Sequence, residues 1–224
     1  MQIDFHSHIL PNADHGSDGI DTSLRQIAMA KEFGIDLMVA TPHFYPRQDS
    51  VSEFLHRRAR CEQILREQLA ESEDAPKILI GAEVQLCRSL DRMEEIRELC
   101  VHGTDVLLLE LPGGFSMHHY EQTIESLLYG RKLTVVLAHI DRYDMTTIDL
   151  LLDMGCLAQL NASAFCHFRG RRRALQWASG ESVVALGSDI HGTNLGYREF
   201  AQAKKRLGAD YTRIMSRTAE LLKL

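Results

Sequence analysis

The segment DFHSHILPNADHG, residues 4–16, places two closely spaced histidines just before a loop rich in turn residues. The apolar run at 3–5 predicts a first β-strand, and the proline, asparagine and glycine that follow predict where it ends. Residues two apart on a strand point to the same face, so His6 and His8 present two imidazoles side by side. His15 in the loop can fold back over this pair. Neutral imidazole binds zinc, iron, manganese or nickel, so the three histidines indicate a metal site; an ordinary surface histidine pair is the alternative.

The composition narrows the class of protein. The chain has 224 residues, of which 45% are hydrophobic, enough for the core of one α/β domain spanning 1–224. We expect no membrane span, because no apolar run is long enough, and no signal peptide. The net charge of −6 argues against nucleic-acid binding. Five cysteines without a Cys-x-x-Cys pair are typical of a reducing compartment, so a cytoplasmic location is expected.

Strand and helix patterns alternate along the whole chain. Seven apolar segments predict strands, and their alternation with helical segments favours a parallel sheet with crossover helices. A sheet of seven such strands is expected to close, or nearly close, into a barrel. The predicted strands cover 3–5, 37–40, 77–80, 105–110, 133–138, 157–160 and 183–187.

Eight helices are predicted between and after these strands. Asp21 or Thr22 is expected to cap the first, which runs to about residue 33. Ser50 with Glu53 forms a capping box for the second, which runs to about residue 69. The remaining predicted helices cover 93–99, 120–128, 146–154, 171–178, 197–207 and 211–222. Two polar segments are expected to be connections: the acidic connector at 71–74 and a basic turn at 169–173.

Polar residues recur where the predicted strands end. In parallel barrels the carboxyl-terminal ends of the strands carry the chemistry, whereas the strand interiors pack the core. Eight imidazole and carboxylate groups lie at six of these ends, and the loop residue His15 joins them. So many nitrogen and oxygen ligands exceed the needs of one tetrahedral ion, which predicts two or three metal ions. The eight residues are His6, His8, His43, Glu83, Glu110, His139, Asp189 and His191.

Four motifs in this order resemble those of a known family. They are DFHSHILPNADHG at 4–16, ATPHF at 40–44, LAHIDRY at 137–143 and GSDIH at 187–191. The chain is similar to the polymerase and histidinol phosphatase (PHP) superfamily of metal-dependent phosphoesterases. Within it, the chain most resembles the CpsB/YwqE-type protein tyrosine phosphatases of bacterial capsule and exopolysaccharide operons. The motifs extend over nearly the whole chain, from residue 4 to residue 191.

The resemblance implies a distorted seven-stranded β/α barrel with a trinuclear metal site, manganese first and iron or zinc as alternatives. The implied ligands are His6, His8, His15, His43, Glu83, Glu110, His139, Asp189 and His191. A hydroxide that bridges two metals would attack phosphorus, and Arg142 would bind the phosphate oxygens. Asp189 or His191 could help the leaving group depart. The expected substrate is a phosphotyrosine protein, such as a bacterial tyrosine kinase, or a small phosphomonoester.

Three further features have two interpretations each. Arg198 is either a second phosphate clamp or a surface arginine on a closing helix. The basic segment 169–173 either attracts an anionic substrate or is a solvated turn. Cys166 and Arg172 have the Cys-x5-Arg spacing of a cysteine phosphatase, but the segment lacks the glycine-rich amide cradle of such a loop.

Two other functions remain open from the sequence. One is a small-molecule phosphatase of the histidinol-phosphate or nucleotide type. The other is a regulatory metal-binding domain, which PHP modules become when ligands are lost. Every predicted ligand position is filled in this chain, which favours activity.

Overall fold

The computed structural model describes residues 1–70, 74–193 and 196–224, so positions 71–73 of the predicted acidic connector lie outside the described residues. The strands are β1 (Ile3–Ser7), β2 (Leu37–Ala40), β3 (His43–Phe44), β4 (Lys77–Ile80), β5 (Glu83–Gln85), β6 (Val106–Glu110), β7 (Thr134–Leu137), β8 (Leu157–Asn161) and β9 (Val183–Gly187). The α-helices are α1 (Ile20–Glu32), α2 (Val51–Leu69), α3 (Met117–Glu125), α4 (Met145–Asp153), α5 (Phe168–Ser179), α6 (Gly196–Leu207) and α7 (Ala209–Leu221).

The strands form two parallel sheets, which confirms the predicted α/β class. One sheet has the order β1-β2-β4 and the other the order β3-β5-β6-β7-β8-β9. The expected seven-stranded closed barrel is not found in the described residues. The second and third strands end at Ala40 and Ile80 as predicted, but each is followed by a short strand, β3 or β5, that was not predicted and that pairs in the other sheet.

Proline explains one of these two breaks. Pro42 follows β2 and has no N–H to continue a ladder, although its carbonyl still accepts a hydrogen bond from the Glu83 N–H at 3.1 Å. Next to this break, the Gly81 N–H donates to the Ala40 carbonyl at 2.8 Å. Gly81 lies between β4 and β5, where the backbone passes from the first sheet to the second. The strands that follow, β3 and β5, are short, and each begins with a predicted ligand, His43 and Glu83.

The core lies between the strands and the helices around them. The residues of β1, β2 and β9 are all buried, and β6 is buried except at Glu110. Strands covered on both faces are typically continuous apolar runs, which is why the sequence located them well. The polar residues within β1, Asp4, His6 and Ser7, are buried as well, and so is His8 directly after it.

The helices follow the predictions with three corrections. The helix predicted at 93–99 is wrong: this segment forms two 3-10 turns, Leu90–Arg92 and Ile96–Leu99, whose apolar residues reach the core individually. The basic turn at 169–173 is wrong as well, because it lies within α5. The helix α1 begins at Ile20 after Gly19, with no side-chain cap from Asp21 or Thr22.

Other helix predictions hold. The capping box of Ser50 and Glu53 is present at the start of α2, where each residue bonds the other's backbone N–H. The helix predicted at 120–128 continues from α3 into a π-helical turn at Ser126–Gly130. In the described part of the chain, no helix has both the length and the apolar character needed to cross a membrane.

Candidate metal centre

The predicted ligands come from both sheets and meet at the carboxyl-terminal ends of the strands. In the order of the chain they are His6 on β1, His8 and His15 after it, His43 on β3, Glu83 on β5, Glu110 on β6, His139 after β7, and Asp189 and His191 after β9. Seven of these nine side chains form three compact groups that overlap at His8 and His43. The groups are His8, His43 and His191; His6, His8 and Asp189; and His43, Glu83 and Glu110. In each group the ligand atoms lie within 4.8 Å of one another. His139 is absent from these groups, but it joins them through Glu83.

The Glu83 carboxylate lies among four histidines. Its Oε1 lies 2.7 Å from His139 Nε2, and its Oε2 lies 3.2 Å from His6 Nε2 and 3.3 Å from His8 Nε2. Oε2 also lies 2.9 Å from His43 Nδ1. Burial alone would raise the pKa of Glu83, but the neighbouring histidines outweigh it and hold that pKa well below its usual range. Glu83 is therefore a buried carboxylate whose negative charge would suit it to hold a cation together with the neighbouring histidines.

Several buried atoms of the cluster have no hydrogen-bond partner among the described residues. An unpaired buried polar atom costs about 1–3 kcal/mol, so a group of them indicates a missing partner. A divalent cation would satisfy several of them at once, since each is a nitrogen or oxygen with a free lone pair in one tautomer. The residues therefore fit a metal-binding site. The atoms are His43 Nδ1, Glu83 Oε2, His139 Nδ1 and His191 Nε2; the first two lie 2.9 Å apart but do not form a hydrogen bond.

Asp14 orients the first histidines, and the sequence interpretation missed it. Its Oδ2 lies 2.7 Å from His8 Nδ1 and accepts a hydrogen bond from the His43 N–H at 2.9 Å. Its Oδ1 accepts from the Gly16 N–H at 2.8 Å. A carboxylate on Nδ1 fixes the tautomer of His8 so that Nε2 is free for a metal. Burial alone would raise the pKa of Asp14, but the hydrogen bond from His8 outweighs burial, so the pKa of Asp14 is lowered.

Gln159 and Asn161 on β8 connect three predicted ligands and were also missed. Gln159 Oε1 lies 3.1 Å from His6 Nδ1 and accepts the His139 N–H at 2.7 Å. Its Nε2 donates to Asn161 Oδ1 at 2.9 Å, and Asn161 Nδ2 donates to Asp189 Oδ2 at 3.0 Å. A glutamine inside an otherwise apolar buried strand was the signal available in the sequence.

Gly187 at the end of β9 allows this close arrangement. A Cβ atom at position 187 would lie 2.5 Å from His6 Cβ and 2.7 Å from Gln159 Nε2. Both distances are shorter than van der Waals contact, so any larger residue would displace His6 or Gln159. The glycine of the GSDIH motif is therefore explained by packing against the first strand.

The three comparisons with known proteins agree with this geometry. The sequence model described as "Capsular polysaccharide synthesis, CpsB/CapC" matches residues 2–220. The chain belongs to the CpsB/CapC family. This confirms the resemblance found in the sequence.

Curated CpsB/CapC relatives are named as tyrosine phosphatases. The chain is 28% identical over 214 residues to the tyrosine-protein phosphatase CpsB of Streptococcus pneumoniae, covering 84% of this chain and 82% of that one. It is 24% identical over 243 residues to the tyrosine-protein phosphatase YwqE of Bacillus subtilis, covering 98% and 91%.

Solved structures give the same fold. A structure described as belonging to YwqE from Bacillus subtilis and CpsB from Streptococcus pneumoniae, "unique metal-dependent tyrosine phosphatases", matches with a TM-score of 0.84 at 19% identity. The match covers 99% of this chain and 94% of that one. A putative histidinol phosphatase from Listeria monocytogenes matches with a TM-score of 0.52 at 13% identity, covering 91% and 98%. These matches establish the fold shared with the CpsB/CapC family.

Arg142 contacts the centre of this CpsB/CapC chain, whereas Arg198 has no described link to it. The Arg142 guanidinium forms an ion pair with the Asp189 carboxylate, and about half of its side chain is exposed. Asp189 and His139, three residues before Arg142, both have a positive φ. Non-glycine residues rarely adopt this conformation, and those that do are frequently at functional sites. Arg198 is exposed on α6 and forms no ion pair or hydrogen bond with the described residues.

His15 lies above the cluster and outside the three compact groups. Its ring stacks on His43 at 4.8 Å between centroids and lies 4.6 Å from the ring of His191. A metal-binding role for His15 therefore stays a prediction.

Cys166 lacks the surroundings of a nucleophile. Its thiol is partly buried at the end of a 3-10 turn, with the carbonyls of Ala162 and Glu199 at 3.6 and 3.7 Å. Burial raises the pKa of Cys166, which opposes formation of a thiolate. The other half of the motif, Arg172, lies in α5, so the segment does not form a phosphate-binding loop.

We therefore expect Cys166→Ser to leave the hydrolysis of p-nitrophenyl phosphate within about threefold of wild type, since a residue outside the site contributes little to the barrier. Cys61→Ser, at a buried thiol on α2, is the control. Steady-state kinetics check this. A loss of about 1,000-fold specific to Cys166 would restore the covalent cysteine mechanism.

Proposed function

We propose that this CpsB/CapC chain is a metal-dependent phosphomonoester hydrolase that acts on phosphotyrosine in proteins. The observation that carries the proposal is the buried Glu83 carboxylate among four histidines. Glu83 and two of these histidines have buried ligand atoms without a hydrogen-bond partner, which divalent cations would satisfy. The names of the curated relatives support the phosphatase activity and the tyrosine preference.

We propose two or three divalent ions, manganese first and iron or zinc as alternatives. The mixed nitrogen and oxygen ligands suit all three metals. The three compact groups would hold the ions. Bound there, divalent ions supply positive charge that activates water and neutralises phosphate oxygens.

The protein groups contribute orientation and charge. Arg142 can turn its exposed guanidinium from Asp189 to the non-bridging phosphate oxygens, which its planar fork fits. Burial and the neighbouring His8 lower the pKa of His191 to about 4, so its imidazole is neutral at pH 7. Neutral His191 can bind a metal or accept a proton from water. It is poorly suited to protonate the leaving group. Asp189 is no better suited, because the neighbouring His6 outweighs burial and holds the pKa of this carboxylate well below its usual range. The proposed help that Asp189 and His191 give to the leaving group is therefore as metal ligands and not as proton donors.

We expect Arg142→Ala to lower kcat/KM about 10- to 1,000-fold with metal content unchanged, the effect of losing one charge-assisted contact to phosphate. Arg142→Lys should restore only part of this, because an ammonium cannot reproduce the planar fork. Kinetics and metal analysis on the same preparations check both results. Unchanged kinetics in Arg142→Ala would remove Arg142 from the site, and Arg198→Ala, measured in parallel, tests the second predicted phosphate contact.

The substrate is tested by direct competition between classes. Apo-protein is restored with manganese, iron or zinc in turn and assayed on a phosphotyrosine peptide, a phosphoserine peptide and histidinol phosphate. The proposal expects the highest kcat/KM on the phosphotyrosine peptide. A higher value on histidinol phosphate would favour a metabolite phosphatase, and no turnover with any metal would favour a regulatory metal-binding domain.

A kinase partner and the location complete the proposal. We propose a bacterial tyrosine kinase as the phosphotyrosine protein, in keeping with the capsular polysaccharide synthesis named in the family description. The cytoplasmic location predicted from the sequence stays a proposal.

A further inference from the structure

A cavity of about 710 Å³ lies beside the metal centre and is not used by the proposed chemistry. Its volume falls within the range of about 300–1,000 Å³ that encloses drug-sized ligands, more than one aryl phosphate needs. The walls come from three segments at 46–47, 85–89 and 112–113, together with Tyr120 on α3.

Each of these three segments continues directly from a predicted ligand. Arg47 lies four residues after His43, Gln85 lies two after Glu83 on the same strand, and 112–113 begins two residues after Glu110. The wall is also bonded to the site, because the Leu86 N–H donates to the Glu110 carbonyl at 2.9 Å. These three ligands form one of the compact groups, so the walls of the cavity continue from that side of the metal centre.

The charge of the cavity is positive. Arg47 and Arg88 come from two different walls, both side chains are exposed, and neither forms an ion pair with a described residue. Among the described residues, the lining contains no aspartate or glutamate. Two unpaired guanidinium groups facing a cavity without carboxylates complement a negatively charged ligand.

The cavity also has an aromatic wall. Tyr120 is half-buried, and its ring is nearly parallel to that of Phe115, with 5.4 Å between centroids and 13° between planes. A flat aromatic surface beside two cations suits a peptide that carries both apolar and acidic side chains.

We propose that Arg47 and Arg88 form a subsite for acidic side chains that flank the phosphotyrosine of a protein substrate. The inference rests on the proposed phosphatase function and adds a sequence preference to it. With the phosphate at the metal centre, the peptide continues into the cavity, where its aspartate or glutamate side chains pair with the two guanidinium groups. Arg47 and Arg88 are specificity residues that take no part in the chemical step.

The test compares two phosphotyrosine peptides with blocked ends, one with glutamate at three positions on each side and one with glutamine there. Glutamine has the same shape and no charge. Wild type is expected to prefer the acidic peptide about three- to tenfold in kcat/KM, the effect of two exposed ion pairs. The preference should shrink as salt is added.

The double variant Arg47→Ala/Arg88→Ala should lose this preference and keep its turnover of p-nitrophenyl phosphate within about twofold, since exposed surface substitutions have small effects. The control Arg60→Ala/Lys205→Ala removes two other exposed cations and should keep the preference. The ratio of the two peptides is read within each protein, so a general loss of activity cancels.

The outcomes separate the inference from the proposed function. Equal kcat/KM for both peptides in wild type, or a preference that survives in the double variant, overturns the subsite and leaves the phosphatase intact. Turnover of neither peptide by metal-loaded wild type overturns the protein substrate and the subsite together.

Discussion

Chelation should lower the turnover of p-nitrophenyl phosphate at least about 1,000-fold, because bound cations supply several kcal/mol of charge stabilisation to a phosphoryl transition state. The Glu83-centred cluster offers unpaired ligand atoms and no alternative nucleophile such as an activated Cys166. Activity and metal content are measured before and after dialysis against a chelator.

Two controls make the chelation result specific. Restoring manganese, iron or zinc should recover activity, whereas chelator saturated beforehand with the metal that restores activity should not reduce it. Chelation should also lower the melting temperature, because a ligand that binds only the folded state stabilises it. Full activity in a preparation shown to be free of metal would disprove the metal mechanism.

Glu83→Gln should have the largest effect of any single substitution in the centre. The amide has nearly the same shape as the carboxylate, but it carries no charge and its NH₂ group cannot accept or bind a cation. The two Glu83 oxygens lie within 2.7–3.3 Å of nitrogens of four histidines. We expect the loss of at least one ion per chain and a fall in kcat/KM of about 1,000-fold or more.

The matched control for this variant is Glu94→Gln, which makes the same chemical change at an exposed position. Metal analysis, steady-state kinetics and the melting temperature are compared for the two proteins. Normal metal content and turnover in Glu83→Gln would show that Glu83 is not a ligand.

Most of the candidate site was predictable because its residues follow a simple rule. A parallel sheet brings its carboxyl-terminal strand ends to one edge, so polar residues after apolar runs meet there. His43, Glu83 and Asp189, far apart in the sequence, were found in this way. Asp14, Gln159 and Asn161 were missed because orienting residues have no fixed spacing from the ligands that they hold.

The fold was less completely predictable. Apolar runs located the strands, but whether a strand continues or changes sheets depends on single positions such as Pro42 and Gly81. The segment 90–99 also has the apolar residues of a helix. These residues reach the core from two 3-10 turns. The spacing of apolar residues in the sequence does not distinguish two such turns from one α-helix.

The contact between β1 and the segment after β9 has a consequence for folding. Ser7 bridges Ile190, and the Asp189 N–H donates to the His6 carbonyl at 2.8 Å, so the two segments meet across more than 180 residues. Contacts of such high sequence separation form late, since the entropy of closing a long loop must be overcome first. A ribosome-bound chain that has not yet released His191 cannot assemble the group of His8, His43 and His191. The group of His43, Glu83 and Glu110 needs no residue after β6, but the other two groups do, so full metal loading reports that the last strand has docked on the first.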